Sequence, residues 1–380
     1  MAVVTPQGVR FLDSRSGQSM EKSPRTLEWD AESASKEGHP HYMIKEILEQ
    51  PQAIRNALRQ DPEKLEKFVS LLEQSKDVKF VACGTSRHAA LVGRYALNQL
   101  AGKSAEAYIA SEFDYFADQC TKDTLVVAVS QSGETADVLV GLRKAKAKGA
   151  KVAAIVNVAG SSIDRESDVC LYLNCGPEIA VASTKAFLAQ LTVFFVLAHH
   201  VAGKLPEGVA AITAVADQVA KFLPKWEAQA RDLAESWSEV RHMYYLARGV
   251  DFPVALEGAL KMKEISYVHA EGMPAGELKH GTLALIEKGT PVVLVNPKDY
   301  TFSDTLSNGL ETKARGAFLV GVSDENNEAY DAFIELPKTE ALFYPLLASV
   351  PMQLLAYFAS VQRGLNPDKP RNLAKSVTVR

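Results

Sequence analysis

Cysteine is scarce in this chain. Four residues in 380, at positions 83, 120, 170 and 175, are too few and too scattered for a disulfide-stapled fold. The pair Cys170 and Cys175 lacks a second pair of ligands, so no zinc site is expected. An excess of one charge sign is missing too: 42 basic against 46 acidic residues give a net charge of −4, which removes the electrostatic footprint of a nucleic-acid binder. Residues 1–25 hold no apolar core of the kind a secretory leader needs, and a cytoplasmic protein is expected. Long uninterrupted apolar runs are few. Ala186–Ala198 is too short to span a bilayer and carries Gln190 and Thr192. Ala341–Val361 is uncharged over 21 residues, but Pro345, Ser349, Pro351, Gln353 and Ser360 interrupt it, which reads as a buried helix. Neither a Walker pattern nor G-x-G-x-x-G occurs in the loops considered below, which disfavours a nucleotide, and no cofactor is expected.

What is present is an α/β pattern long enough for two domains. Its centre is Ser130-Gln131-Ser132-Gly133-Glu134-Thr135. The apolar run Asp123–Val129 before it reads as a buried strand. Residues 136–149 after it read as a helix, with apolar residues at 138, 139, 142 and 145. A strand, a hydroxyl-rich loop and a helix start make an anion site, because helix N-termini offer unpaired N–H groups and partial positive charge. The ordinary alternative is a plain Ser/Thr helix cap.

Residues 3–18 read as a strand and turn, and 19–40 as a polar linker with Trp29 its one large apolar anchor. Tyr42–Leu48 reads as a short helix stopped before Pro51, and 51–74 as further helix. From Val78 the pattern is strand, loop, helix, with strands at 80–84, 105–109, 123–129, 152–156 and 169–173. Thr85 and Ser86 are expected to cap one helix, Ser183 and Thr184 another. A second pass then resembles the first. Lys79–Gly84 matches Tyr244–Gly249, Asp123–Ser130 matches Gly289–Asn296, and Lys146–Ala150 matches Lys313–Ala317, at offsets of 165, 166 and 167. Three ordered matches at a near-constant offset argue an internal duplication of a whole α/β domain. The second copy has Arg248–Asp251 and Asn296–Thr301 where the first has hydroxyl-rich loops, so one phosphate site per chain is expected. Three such loops, Cys83–Ser86, Ser130–Thr135 and Val181–Thr184, would gather at the carboxyl edge of the first sheet and suit a small sugar phosphate.

Chemistry must come from elsewhere. Lys261 and Glu264 share a helix face, ordinarily as a surface ion pair, yet the helix is apolar on most sides. His280 sits between turn signals. In the tail from Asp368 to Arg380, the otherwise uncharged run 372–379 carries one lysine, Lys375. A lysine in an apolar setting can lose its proton and form a Schiff base with a carbonyl.

With these motifs the chain resembles, over residues 1–380, the sugar-isomerising half of the glucosamine-6-phosphate synthase (glutamine–fructose-6-phosphate aminotransferase) family, built of tandem SIS domains. The resemblance rests on His41–Pro51, Cys83–Ser86, Ser130–Thr135, Gly176–Phe187, Glu257–His269, Gly276–Gly281 and Lys369–Val379. It implies an N-terminal remnant (1–40), a phosphate-binding domain (41–205), a second domain (206–363) and an active-site tail (364–380). It implies that Ser86, Ser130, Gln131, Ser132 and Thr135 hold the phosphate with Thr85 in the same pocket, and that Val181, Ser183 and Ala374 contact the sugar. Lys375 would form the Schiff base at C2 of open-chain fructose 6-phosphate, for ammonia to displace. Glu264 would move the proton between C1 and C2, and Lys261 would assist at the C1 oxygen. His280, supplied by the neighbouring subunit of a homodimer, would open the sugar ring. Residues 3–30 resemble the end of a glutaminase half that is otherwise missing, so the expectation is half of a longer enzyme or a stand-alone relative using free ammonia. Arg87, Asp114 and Thr282 depart from the family's aromatic, Arg and Pro at those places. The alternatives are a deaminase running the reaction backwards and a sugar-phosphate sensor, against which the absence of any DNA-binding segment counts.

Overall fold

The computed structural model describes residues 1–22 and 35–379. The chain divides into two compact units, Met1–Ser35 and Lys36–Arg380. In the first, strands Ala2–Thr5, Gly8–Leu12 and Ser19–Met20 form a small antiparallel sheet. Trp29, expected to anchor a linker, lies outside the described residues.

The larger unit contains two five-stranded parallel sheets. In one, the neighbours run Glu106–Ile109, Asp77–Ala82, Thr124–Ser130, Lys151–Val156 and Val169–Tyr172. In the other they run His269–Pro274, His242–Ala247, Pro291–Val295, Phe318–Ser323 and Ala332–Glu335. Both sheets therefore place their strands in the chain order second, first, third, fourth, fifth, which is the duplication read from the offsets. Every residue of Thr124–Ser130 and of Pro291–Val295 is buried, because a parallel strand covered on both faces has no side for water.

Two apolar helices fill the interior. Lys185–Val201 lies against Gly84–Ala101, where Gly93 leaves room for the Phe194 ring; a methyl there would stand 2.3 Å from a ring carbon. Tyr344–Gln362 packs between Phe252–Ser266 and Leu205–Glu235 and is buried from Tyr344 to Ser360. With the turn before it, this stretch is long and apolar enough to cross a membrane, but its apolar surface is covered by the protein, as its interrupting polar residues led one to expect.

One expected helix is two. The stretch 51–74 breaks into Gln50–Ala57 and Pro62–Gln74. Asp61 ends its excursion by accepting from the N–H groups of Glu63 and Lys64, and Pro62 occupies the first helical position, which needs no N–H.

Candidate active site

The loop Ser130–Thr135 leaves the carboxyl end of the central strand of the first sheet and enters the helix Ala136–Ala147. Val138, Leu139, Leu142 and Ala145 of that helix face the core, as their spacing implies. The loop is held in a tight coil. Ser130 Oγ lies 2.9 Å from Thr135 Oγ1 and accepts from the Gly133 N–H at 3.1 Å, and Ser132 Oγ accepts from the Glu134 N–H. Gly133 has φ +68, and a Cβ there would stand 2.0 Å from Ser161 Oγ. Gly133→Ala should cost roughly 1–3 kcal/mol of stability and disorder this coil. Denaturant unfolding and inorganic phosphate titration would register both effects, and a variant with wild-type values in both would show that the coil does not depend on this glycine.

The tail closes on the same loop. Ser376 Oγ donates to Ser132 Oγ at 3.1 Å, and the Val377 carbonyl accepts from the N–H of Ala136, the first residue of the helix. The tail is not a frayed end. Asp368, buried, accepts from the N–H groups of Tyr42 and Met43 at the start of the first helix, and its own carbonyl accepts from Val181 N–H. Arg371 N–H donates to the Tyr267 hydroxyl, with its guanidinium over that ring. Lys375 is thereby set with its Nζ 2.6 Å from Glu178 Oε2 and 2.8 Å from the Ala180 carbonyl.

Glu178 is fully buried. Its other oxygen accepts from the N–H groups of Thr184 and Ala186, at the start of the helix Lys185–Val201. This corrects an expectation: the helix is capped by Glu178, and Ser183 and Thr184 make no side-chain cap. Burial alone would push the Glu178 carboxyl up, but Lys375 and the two backbone N–H groups outweigh it and hold the carboxyl below its usual range. Beside it, Glu46 accepts from Ile179 and Ala180 N–H. Burial first, and the Glu178 charge second, push Glu46 up to about 8.

A second correction concerns Thr85 and Ser86. The helix begins at Gly84, so both lie inside its first turn and their hydroxyls are free to point elsewhere. Ser86 Oγ accepts from Gln190 at 2.8 Å. Thr85 Oγ1 donates to Glu257 at 2.9 Å and accepts from Lys261 Nζ at 3.0 Å. Lys261 also reaches Glu264 at 2.6 Å and Glu257 at 3.3 Å. Its side chain is sealed from water, so this is no surface ion pair. Burial opposes its charge, but Glu257 and Glu264 more than compensate and raise its pKa, which keeps it a cation. Glu264 is partly open, at 22% side-chain exposure, so it is the carboxylate of this group that a substrate can reach. His88 Nδ1 completes the cluster, 2.7 Å from Glu257.

The structure thus joins Ser130, Ser132 and Thr135 with the tail, Thr85 with Lys261 and Glu264, and Lys375 with the turn before Val181. Gln131, in the loop Ser130–Thr135, accepts from Asn157 N–H through its carbonyl. Ser183 and Ala374 are chain neighbours of the Glu178-capped helix start and of Lys375. His280 is not joined to them. It is exposed at the end of the turn Ala275–His280 and makes no hydrogen bond or ion pair with the described residues. Of the departures, Arg87 keeps a buried Nε without a partner, Asp114 faces Lys144 at 3.6 Å, and Thr282 opens the turn Thr282–Leu285. Sequence reasoning missed Glu46, His88, Glu178 and Glu257 as site residues. Only Glu257 left a signal, four residues before Lys261 on the same helix face.

The second copy offers no equivalent cradle. Asp251, buried with both carboxylate oxygens unpartnered, and Asp299 beside it occupy the corresponding edge. Burial, and each other's charge in the case of Asp251, push both upward. A phosphate dianion brought there would meet carboxyl groups in place of hydroxyls.

The SIS domain family matches residues 71–200 and 237–362. The glutamine–fructose-6-phosphate aminotransferase [isomerizing] of Thermococcus kodakarensis is 46% identical over 98% of this chain, and that of Methanothermobacter thermautotrophicus 45% identical over 99%. The chain spans 63% and 64% of the length of these two relatives. Among solved structures, the C-terminal domain of glucosamine-fructose-6-phosphate aminotransferase from Francisella tularensis superposes with a TM-score of 0.81 at 36% identity, covering 88% of this chain and all of that one. A glucosamine-6-phosphate deaminase from Thermotoga maritima superposes with a TM-score of 0.70 at 27% identity, covering 88% and 99%. The chain belongs to the SIS domain family, carries two such domains in tandem, and corresponds to the C-terminal part of the glutamine–fructose-6-phosphate aminotransferases.

Proposed function

We propose that the chain converts fructose 6-phosphate, with ammonia, to glucosamine 6-phosphate. The observation that carries this reading is the tail, which ties a half-buried lysine to the hydroxyl loop: Ser376 on Ser132, and Lys375, its neighbour, on Glu178. The phosphate binds at Ser86, Ser130, Gln131, Ser132 and Thr135, with Thr85 alongside and the Ala136 N–H at the helix start contributing its dipole. Residues 41–205 form the domain that grips the phosphate, and 206–363 the domain whose helix Phe252–Ser266 brings the acid–base groups. Val181, Ser183 and Ala374 line the sugar, and His280 reaches the ring oxygen of a sugar bound by the partner in a homodimer. Lys375 attacks C2 once the ring is open. Ammonia, free or delivered by a glutaminase domain, adds to the C2 iminium carbon and displaces Lys375 as a free amine. Glu264 then carries a proton from C1 to C2, and Lys261, a permanent cation, steadies the charge that builds on the C1 oxygen during the transfer. The activity belongs in the cytoplasm, because a charged sugar phosphate does not cross a bilayer unaided.

The deaminase likeness gives the reverse direction a specific observation in its favour. Incubation with fructose 6-phosphate, with and without ammonium, separates the readings. Glucosamine 6-phosphate formed only with ammonium is the expected result. Consumption of glucosamine 6-phosphate without any synthesis would replace the proposal by deamination, and binding without turnover would replace it by a sensor.

A further inference from the structure

The buried carboxylate of Glu178 is larger in its consequences than a helix cap requires. A cap needs one or two oxygen acceptors for backbone N–H groups, and Oε1 supplies them alone, to Thr184 at 2.8 Å and Ala186 at 3.0 Å. The second oxygen is thereby left to Lys375 Nζ at 2.6 Å, and Glu178 has no side-chain exposure through which water could take its place. We propose that Glu178 is the counter-ion of the imine nitrogen: the carboxylate that pairs the Lys375 ammonium before reaction keeps the Schiff-base nitrogen protonated after it. This rests on the reading of Lys375 as the nucleophile and adds a catalytic group to it, since Glu178 touches the reacting atom itself.

The charge count favours the same assignment. Lys375 begins as an ammonium with three protons. The nitrogen first passes one proton to the C2 carbonyl oxygen, and its freed electron pair forms the N–C2 bond; a second proton follows to the same oxygen and the C2–O bond breaks. Two of the three protons leave with that oxygen as water, and the third stays on the iminium nitrogen. The nitrogen is a single positive charge at the start and at the end, so one fixed carboxylate matches it throughout with no reorganisation. A protonated imine, unlike a neutral one, withdraws electrons from C2, which is what the attack of ammonia that follows needs.

The surroundings keep the count at one carboxylate for one cation. Glu46 faces Glu178 from the helix Tyr42–Leu48 and retains its proton up to about pH 8. Lys185, on the helix that Glu178 caps, is taken by Glu49 at 2.6 Å. The Cys175 thiol, before the loop, is pushed up by burial and by Glu178, and stays neutral. Glu46 acts as a positioning residue here. Its Oε1 fixes Ile179 and Ala180, and the Ala180 carbonyl is the second group on Lys375 Nζ.

The test uses cyanoborohydride, which reduces iminium ions and spares neutral imines, with fructose 6-phosphate on the intact chain, read by mass spectrometry at Lys375. Wild-type trapping should stay level from about pH 6 to about pH 8, below which Glu46 keeps its proton. In Glu178→Gln it should be close to wild type at about pH 6 and fall by about tenfold or more at about pH 8, because loss of the carboxylate lowers the pKa of the imine. Glu178→Asp should fall between them. A Glu178→Gln profile reduced by the same factor at every pH, or unchanged, would overturn the counter-ion role and leave Lys375 as nucleophile. Absence of any adduct on wild-type Lys375 would sink both. A measurement independent of the variants is the C2 resonance of [2-13C]fructose 6-phosphate on the wild-type chain. An iminium shift at about pH 8 is expected, and a neutral imine there would refute the proposal.

Discussion

Lys375→Ala should still bind fructose 6-phosphate but lose turnover by on the order of 10⁶-fold, the scale seen when a covalent nucleophile is removed and binding groups stay. The two halves of that result come from different atoms. Ser130, Ser132, Thr135 and the helix start at Ala136 sit on the sheet and its adjoining helix, and keep their geometry without the lysine. The tail keeps its anchors as well, since Asp368 on the first helix and Arg371 on Tyr267 lie upstream of the change. Borohydride reduction in the presence of substrate should leave the alanine variant unmodified. A covalent adduct on that variant would mean that another amine forms the imine. Lys261 is a poor candidate, because its cation is sealed among Glu257, Glu264 and Thr85 and keeps its proton. Lys185 is a poor one also, held as a buried ion pair with Glu49. One cost is left behind: Glu178 would be a buried carboxylate whose only remaining donors are two backbone N–H groups, so some loss of stability should accompany the loss of turnover.

The second large effect is expected from Glu257→Ala, and it is one of stability. The Glu257 carboxylate, about 1% exposed, takes hydrogen bonds from Thr85 and His88 on the first domain and faces Lys261 on its own helix. Breaking a buried ion pair from one side costs about 3–5 kcal/mol, because the other charge stays buried with less to balance it. Lys261 would retain only Glu264 and Thr85, and His88 would lose its acceptor. Denaturant unfolding should show a free energy of unfolding lower by that amount, with the midpoint moved to lower denaturant. Turnover should fall with it, since Lys261 would lose one of its two carboxylates and Thr85 its acceptor, which loosens the group that positions Lys261. Glu257→Gln, which preserves an acceptor for the Thr85 hydroxyl, should cost clearly less. An alanine variant as stable as wild type would show that the cluster adds nothing to the joint between the two domains.

Much of the architecture was legible because it follows from periodicity. Thr124–Ser130 and Pro291–Val295 are apolar runs that only a doubly covered parallel strand explains, and the offsets near 166 foretold two sheets with one strand order. The break at 58–61 was also written in the sequence, as Asp61-Pro62, but a continuous apolar spacing masked it. The site was legible at its hydroxyls and not at its carboxylates. Ser130–Thr135 announces itself by composition. Glu46, Glu178 and Glu257 look like any solvated glutamate, and what makes them different is burial, which depends on residues more than 130 positions away in the chain. The same holds for Thr85: a threonine near a helix start is expected to cap it, and only the approach of Lys261 from the other domain gives its hydroxyl a different partner.

The two copies have also divided their labour. The helix that follows the first strand of the second sheet, Phe252–Ser266, bears Glu257, Lys261 and Glu264, while its counterpart in the first sheet, Gly84–Ala101, bears the hydroxyls of Thr85 and Ser86. An ancestor with two identical copies would have carried grip and acid–base chemistry twice over, each copy facing the other's helix. Once fused, either copy was free to lose whatever its twin retained, and Asp251 and Asp299 now stand where a second grip would be. On the proposed assignment the grip and the acid–base groups lie on different copies, and the tail that follows the second copy closes on the loop of the first, so neither copy carries the site by itself.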